Sequence, residues 1–377
     1  MIKLMLLRKL KIAIVCDWLT NFGGAEKVIL ALHRLFPSAP IYTPVYNAAK
    51  MHGFEDARII TSYLQHFPLA AQKHQLYLPF YPRVFEQYNL DDFDIVISSS
   101  HSCAKGIITK PSTMHVCYCH SPMRYAWEDS INYINDYEIN PLIKIAAKYS
   151  IHKLRLWDRL SAERVDHFIA NSKTVQKRIY KYYRKPSSVI HPFVDVGQFP
   201  LSRKRQDYFL AAGRLIPYKK FDLIVETFNR LKLPLKIVGT GVSFNKLRDM
   251  AGSNIEFLGF VNNKELSELY QNAKAFIFPQ IEDFGITPLE AMATGCPVIA
   301  HNQGGALETV IDNKTGIFFD EQTPESLAAA ITRFNKNRFD PEKIRNHASG
   351  FDIEVFNSKI LEYLEKKWEH WQKEMIN

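Results

Sequence analysis

Cysteine is scarce, with five in 377 residues: Cys16, Cys103, Cys117, Cys119 and Cys296. The number is odd and no pair is spaced CxxC, which argues against a disulfide framework and a cysteine-based zinc site. The thiols are expected reduced in the core. Long apolar runs are missing too. The opening "MIKLMLLRKLKIAIVCDW" is interrupted by Arg8, Lys9 and Lys11 and is followed by no small-residue cleavage site, which argues against a signal peptide. No other apolar segment is long enough to span a bilayer, so a cytoplasmic chain is predicted. No tract of Ser, Gly, Gln or Pro appears, and the content of 46% hydrophobic and 13% aromatic residues speaks for a folded protein. At this length two domains are expected.

Forty-eight Lys and Arg against thirty-nine Asp and Glu leave a charge of +9, which favours an anionic partner: a phosphate-rich substrate, an acidic membrane or nucleic acid. A nucleic-acid-binding protein rests on that charge alone, because the bases are dispersed and no binding module is present.

Short β-branched runs alternate with helical patterns, the signature of βαβ units around parallel sheets. "KIAIVCDW" (11–18), "DIVISSS" (94–100), "MHVCYCHS" (114–121) and "HFIANS" (167–172) read as strands of a first wound domain. Residues 191–208, rich in Pro, Gly and charge, read as a linker. A second series comes after it: "YFLAAGRL" (208–215), "LKIVGTG" (235–241), "IEFLGF" (255–260), "AFIFPQ" (275–280), "PVIAHN" (297–302) and "GIFF" (316–319). The expected architecture is α/β, two Rossmann-like doubly wound domains facing a central cleft, with ligands at the strands' carboxyl edges. The boundaries are 1–197, 198–350 and a helical tail 351–377. Residues 323–347 and 352–374 read as helical, and the amphipathic tail with Tyr363, Trp368 and Trp371 is expected to pack back on the first domain.

Five segments could carry chemistry. In "PQIEDFGITPLEAMATGCPVIA" (279–300) a buried strand leads to a helix with Thr287 as N-cap, Pro288 at its first position and Gly295 past its end, so the helix start is an anion seat. Thr287 and Glu290 also match a capping box, which would make Glu290 structural. Glu282, beside Asp283, is either solvated or aimed at a ligand hydroxyl. In "GRLIPYKK" (213–220), Arg214 and Lys219 leave a strand end together and could converge on a diphosphate or form a solvated basic loop. Gly23-Gly24 precedes a helix where backbone amides could approach phosphate or sugar oxygens. "CYCHSPMRYAWE" (117–128) sets His120 just after a strand; His101 is similarly placed, whereas His115 alternates with core residues. Asp92-x-Asp94 stands before its strand and reads as a solvated turn rather than a metal site.

Glu282 and Glu290, spaced E-x7-E within "EDFGITPLEAMATGCPVIA", together with "GRLIPYKKFD" and "IVGTG", resemble the retaining nucleotide-sugar glycosyltransferases of family 4, of GT-B fold, over nearly the whole chain. "CDWLTNFGGAEKV", "CYCHSPMRYAWE" and "RVDHFIANSKTVQKRI" further resemble the bacterial mannosyltransferases of surface-polysaccharide (O-antigen or capsule) assembly. The resemblance implies that Arg214 and Lys219 bind the donor diphosphate, Glu290 the nucleotide ribose and Glu282 the transferred sugar. Phe284, Gly285 and Ile286 would lie against sugar and phosphate, and Thr287 would start the helix facing them. His120 matches the family histidine near the sugar, and Gly23 and Gly24 match the loop near donor phosphate and acceptor. Lys220 departs from the pattern, since relatives commonly have glycine there.

The same resemblance implies a hexosyltransferase needing no metal and no cofactor, with a nucleotide sugar as substrate. GDP-mannose is the preferred donor, UDP- or dTDP-hexoses the alternatives, and a lipid-linked oligosaccharide the acceptor. Residues 60–90 mix aromatics, prolines and bases and suit a lipid or saccharide, or else form ordinary helices with buried aromatics. Peripheral attachment to an anionic membrane, on the inner face of the plasma membrane, is expected. A GT-B-like epimerase or phosphorylase is the rival enzyme class.

Overall fold

The computed structural model of the protein describes residue 7, residues 9–128 and residues 141–376. Residues 1–6 and 8 of the leading segment lie outside the described residues. The chain divides into two compact units, one of residues 1–191 with 357–377 and one of residues 192–356.

The first unit is built on seven strands: β1 (Ile12–Cys16), β2 (Ile41–Thr43), β3 (Ile59–Thr61), β4 (Ile95–Ser100), β5 (Met114–Cys119), β6 (His167–Ala170) and β7 (Ser187–Val189). They form one sheet in the order β3-β2-β1-β4-β5-β6-β7, with every neighbouring pair parallel. β1, β4 and β5 are buried along their whole length, as strands covered by helices on both faces must be. β2, β3 and β7 have three residues each, too few to show a period. The helix Gly24–Leu35 covers β1 with Val28, Ile29 and Leu32.

The second unit holds β8 (Phe209–Ala212), β9 (Leu235–Val238), β10 (Ile255–Gly259), β11 (Ala275–Phe278), β12 (Val298–His301) and β13 (Gly316–Phe319), all parallel, in the order β10-β9-β8-β11-β12-β13. The helix Phe221–Leu231 buries Phe221, Leu223, Ile224, Val225 and Phe228 against it, each worth about 1.5–3 kcal/mol in area removed from water. In both sheets the strand order reverses once, at β1/β4 and at β8/β11, the places where loops diverge to admit a ligand.

Three local expectations need correction. The segment expected as a linker is built into the second unit: Val194, Val196, Phe199 and Tyr208 are buried in its core, and Val194 N–H donates to the Phe351 carbonyl at 3.0 Å. Residues 323–347 are two helices, Pro324–Lys336 and Pro341–Ser349, because Pro341 disfavours helix at the residue before it. Asp340 instead caps the second helix, accepting from Glu342 and Lys343 N–H. Residues 60–90 hold two 3₁₀ turns, Tyr63–His66 and His74–Phe80, and one short helix, Tyr81–Glu86, rather than a helix pair. The tail is helical from Ile353 to Ile376, and in the first unit Tyr363 Oη donates to the Phe168 carbonyl at 3.5 Å.

Candidate functional site

The edge of the second unit at its reversal point gathers the loops after β8, β9, β11 and β12. The loop after β8 is held by backbone bonds: Gly213 N–H donates to Val238 O at 3.0 Å, Leu215 N–H to Thr240 O at 2.9 Å and Ser243 N–H to Leu215 O at 3.0 Å. This fixed loop carries Arg214 and then Lys219, in the 3₁₀ turn Pro217–Lys219. Lys219 Nζ lies 3.2 Å from Glu282 Oε1 in the loop after β11, and the two side chains are 14% and 20% exposed, open enough to meet a ligand. Lys220 takes φ 55° and ψ 35°, the left-handed region that glycine occupies without strain. This position therefore keeps a glycine-like backbone despite its lysine side chain.

The helix after Glu282 runs from Ile286 to Ala293 with Gly285, at φ 88°, as its N-cap. Thr287 is thus its second residue rather than its cap, and Pro288 its third. Only glycine enters the helix at that φ without penalty, which moves the start forward of the threonine. Glu290, five residues in, is too far along to close a capping box on the cap amide. No side chain caps this start, leaving first-turn amides for an anion. Glu290 is 6% exposed and lies against the Tyr270 hydroxyl, which burial first and the Glu290 charge second push well above its ordinary range.

Phe284 is buried against the Phe351 ring at 5.9 Å, fixing the backbone of residues 284–286. The loop after β12 supports it from beneath: Gly305 N–H donates to Glu282 O at 2.9 Å, and a Cβ at Gly305 would stand 2.2 Å from Phe284 Cα. Neither Tyr270 nor Gly305 is singled out by the sequence reading. The glycine pair Gly304-Gly305 after a strand is the available signal for the second; Tyr270 has none.

In the first unit, β4 and β5 pair in register from Ile95↔Met114 to Ser100↔Cys119, so His101 and His120 emerge side by side, ring centroids 6.2 Å apart. His120 Nε2 is 2.8 Å from Ser99 Oγ, and burial holds it down to about 3, neutral at physiological pH. His115 is buried in the sheet with Nε2 2.8 Å from Ser98 Oγ, a structural histidine. Asp17, just past β1, is buried and accepts the N–H of His101 (2.6 Å), Ser102 (2.9 Å) and Ala104 (2.7 Å). Gly23 is the N-cap of the helix that Gly24 begins, and its N–H is taken by the Glu26 carboxylate, buried at that helix start. Asp17 and Glu26 likewise carry no distinguishing mark in the sequence. Asp94 accepts from Lys11 N–H at 2.8 Å at the exposed amino edge. Among the described residues, no group of three or more His, Cys, Asp or Glu could hold a metal ion.

Comparison with known proteins identifies the family and the fold. The model for "Glycosyltransferase Family 4" matches residues 22–198 and that for "Glycosyl transferases group 1" residues 197–350. The chain is 24% identical to the alpha-1,3/1,6-mannosyltransferase ALG2 of Candida glabrata, over 94% of this chain and 91% of that one. It is 35% identical to the GDP-mannose-dependent alpha-(1-6)-phosphatidylinositol monomannoside mannosyltransferase of Mycobacterium tuberculosis, over 32% of this chain and 36% of that one. The fold matches Anabaena HepE, solved in complex with UDP, with a TM-score of 0.68 at 17% identity, covering 94% of this chain and all of that one. With two parallel Rossmann-like units and both family models in sequence along it, the chain belongs to the family 4 glycosyltransferases and has the GT-B fold.

Proposed function

We propose that the protein transfers mannose from GDP-mannose, with retention, to a lipid-linked saccharide in surface-polysaccharide assembly, working on the inner face of the plasma membrane. The observation that carries the transfer chemistry is the 3.2 Å contact of Lys219 with Glu282. It sets a cation suited to a diphosphate beside a carboxylate suited to sugar hydroxyls. The mannosyl donor is supported by the mannosyltransferase relatives from Candida glabrata and Mycobacterium tuberculosis.

Cleavage of the bond from anomeric carbon to phosphate leaves an oxocarbenium-like sugar and a diphosphate whose charge grows. Arg214, Lys219 and the uncapped helix start at Ile286 stabilise that charge, an effect worth ~3–4 kcal/mol for one well-placed donor. Glu290, whose carboxylate stands near the Tyr270 hydroxyl, takes the ribose hydroxyls, and neutral His120 is the first unit's candidate for a sugar hydroxyl. The acceptor oxygen attacks the face the diphosphate leaves, and its proton passes to the departing phosphate oxygen. The charge stabilisation assigned to these groups calls on no divalent metal. The rival is a covalent Glu282 intermediate, as in retaining glycosidases. Glu282→Gln should give residual product of retained configuration and no trapped adduct; a glycosyl-enzyme by mass spectrometry would overturn same-face attack.

A thermal-shift panel of GDP, UDP, dTDP and ADP sugars tests the donor. The true one at ~100 times its Kd adds ~2.7 kcal/mol of stability. A larger shift with a UDP- or dTDP-hexose would replace GDP-mannose, and an epimerised sugar product formed without acceptor would point to an epimerase. The membrane reading is supported by residues 57–85, which contain no Asp or Glu and leave Phe67 (42%), Leu69 (54%), Leu76 (64%) and Phe80 (50%) exposed beside Lys73 and Arg83. Failure to float with anionic vesicles at low salt would remove it.

A further inference from the structure

We infer that His101 binds the acceptor, its Nε2 taking a hydrogen bond from a sugar hydroxyl while Asp17 fixes the ring and its tautomer. This rests on the glycosyl-transfer reading and names a residue for its acceptor side.

His101 Nδ1 lies 3.3 Å from Asp17 Oδ2, and the Asp17 side chain is fully buried. The same carboxylate accepts the backbone N–H of His101, Ser102 and Ala104, so ring and loop are fixed by one group. An ionised carboxylate only accepts, which puts the imidazole proton on Nδ1 and leaves the Nε2 lone pair as the outward acceptor. That nitrogen makes no hydrogen bond among the described residues, and the side chain is 30% exposed, so a ligand can reach it. The Asp17 contacts consume polar capacity in the interior of the sheet edge to aim a single ring.

The surroundings select the ligand class. Trp18 meets the His101 ring edge-on at 4.5 Å and is stacked on His74 at 4.4 Å, with 29° between the planes. His74 is in turn held by Thr20 at 3.1 Å. This is a flat, rigid, largely apolar wall of the kind that borders a small-molecule site. The carboxylates of Asp17 and Glu26 both act on His101, and His74 and His120 are the other titratable groups facing it. The buried Asp17 carboxylate beside the ring disfavours a diphosphate but tolerates a neutral hydroxyl, so the site suits the uncharged sugar of an acceptor rather than the donor's phosphates.

Two measurements on the full chain test this. In protein labelled with ¹⁵N-histidine at mildly alkaline pH, His101 should show a protonated Nδ1 and an unprotonated Nε2, with the Nε2 signal moving on titration with octyl α-mannoside and no donor present. Asp17→Asn should disturb the tautomer. An Nε2–H tautomer in the unmodified protein, or an Nε2 signal that the mannoside leaves unmoved, overturns the inference. In turnover of GDP-mannose with octyl α-mannoside as acceptor, His101→Ala should lower the ratio of transfer to donor hydrolysis about tenfold, the effect of one lost hydrogen bond. An unchanged ratio, with both rates falling together, means a structural role and also overturns it. A wild-type protein that turns over no sugar nucleotide defeats the transferase reading instead, and the tautomer and titration still decide the role of His101.

Discussion

Lys219 places its ammonium 3.2 Å from Glu282 Oε1, so the loops leaving β8 and β11 are joined by their two most chemically capable side chains. Donor binding must share or open this pair. Lys219→Ala should lower kcat/KM by about 10²–10³, and Glu282→Gln should lower it too. The double variant should lose less than the sum, because contacting residues couple. Steady-state kinetics through a double-mutant cycle decides; strictly additive losses would show the pair does not act together.

Lys220 sits at φ 55° in the loop after β8, where a β-branched residue is most strained. Lys220→Val should therefore destabilise the second unit by about 1–2 kcal/mol, whereas Lys220→Gly should cost nothing or stabilise slightly. Urea unfolding of the two variants is the check. Equal stability of Val and Gly variants would mean that the loop does not hold this backbone conformation.

Beneath the His101 loop, Lys105 is buried in an ion pair with Asp158, whose Oδ2 also accepts from Trp127 Nε1 (2.7 Å) and Tyr183 Oη (2.8 Å). Burial, the largest influence, opposes the Lys105 charge, but the Asp158 charge and hydrogen bond together outweigh it and raise its pKa above the ordinary value. Removing one partner strands the other charge in the core. Lys105→Met should cost about 3–5 kcal/mol, and the double change Lys105→Met with Asp158→Leu should recover part of that. Chemical denaturation of the single and double variants measures it; a single variant as stable as the parent would refute the pair's weight.

Burial holds four histidines of the first unit low: His74, His115 and His167 to about 4 and His120 to about 3. The unfolded chain has these groups near ~6.5, so it binds more protons than the folded one in between. Their stabilisation is present above ~6.5 and is lost as pH falls through the folded values. Unfolding free energy followed from pH 7 downward should drop, and His115→Gln should flatten the slope by up to ~1.4 kcal/mol per pH unit. A slope untouched by that change would show His115 is not titrating as stated.

Much of the site is legible in the residue order, and the reasons are local. Arg214, Lys219 and Glu282 follow the buried four-residue strands β8 and β11, whose apolar runs and turn residues mark their ends, and Glu290 lies on the helix that the Thr-Pro signal announces. Thr287 reads as the cap because Thr-Pro is a strong helix-start signal, and the sequence gives no sign that Gly285 adopts φ 88° and starts the helix earlier. β2, β3 and β7 leave no trace in the pattern because they depend on register with β1 and β6 rather than on their own residues. Asp17 looks like any residue past a strand; its importance lies in the amides of residues 101–104, brought to it only when β1 pairs with β4.

The order of residues alone determined the alternation of buried strands with amphipathic helices, and with it two parallel sheets, because side-chain period and burial are properties of short segments. Tertiary structure decided which strand ends became neighbours. Contact between Lys219 and Glu282, the approach of Asp17 to the His101 ring and the seating of Glu290 against Tyr270 all depend on sheet order and loop packing. Those relations join segments far apart in the chain, and no local pattern specifies a distance across space.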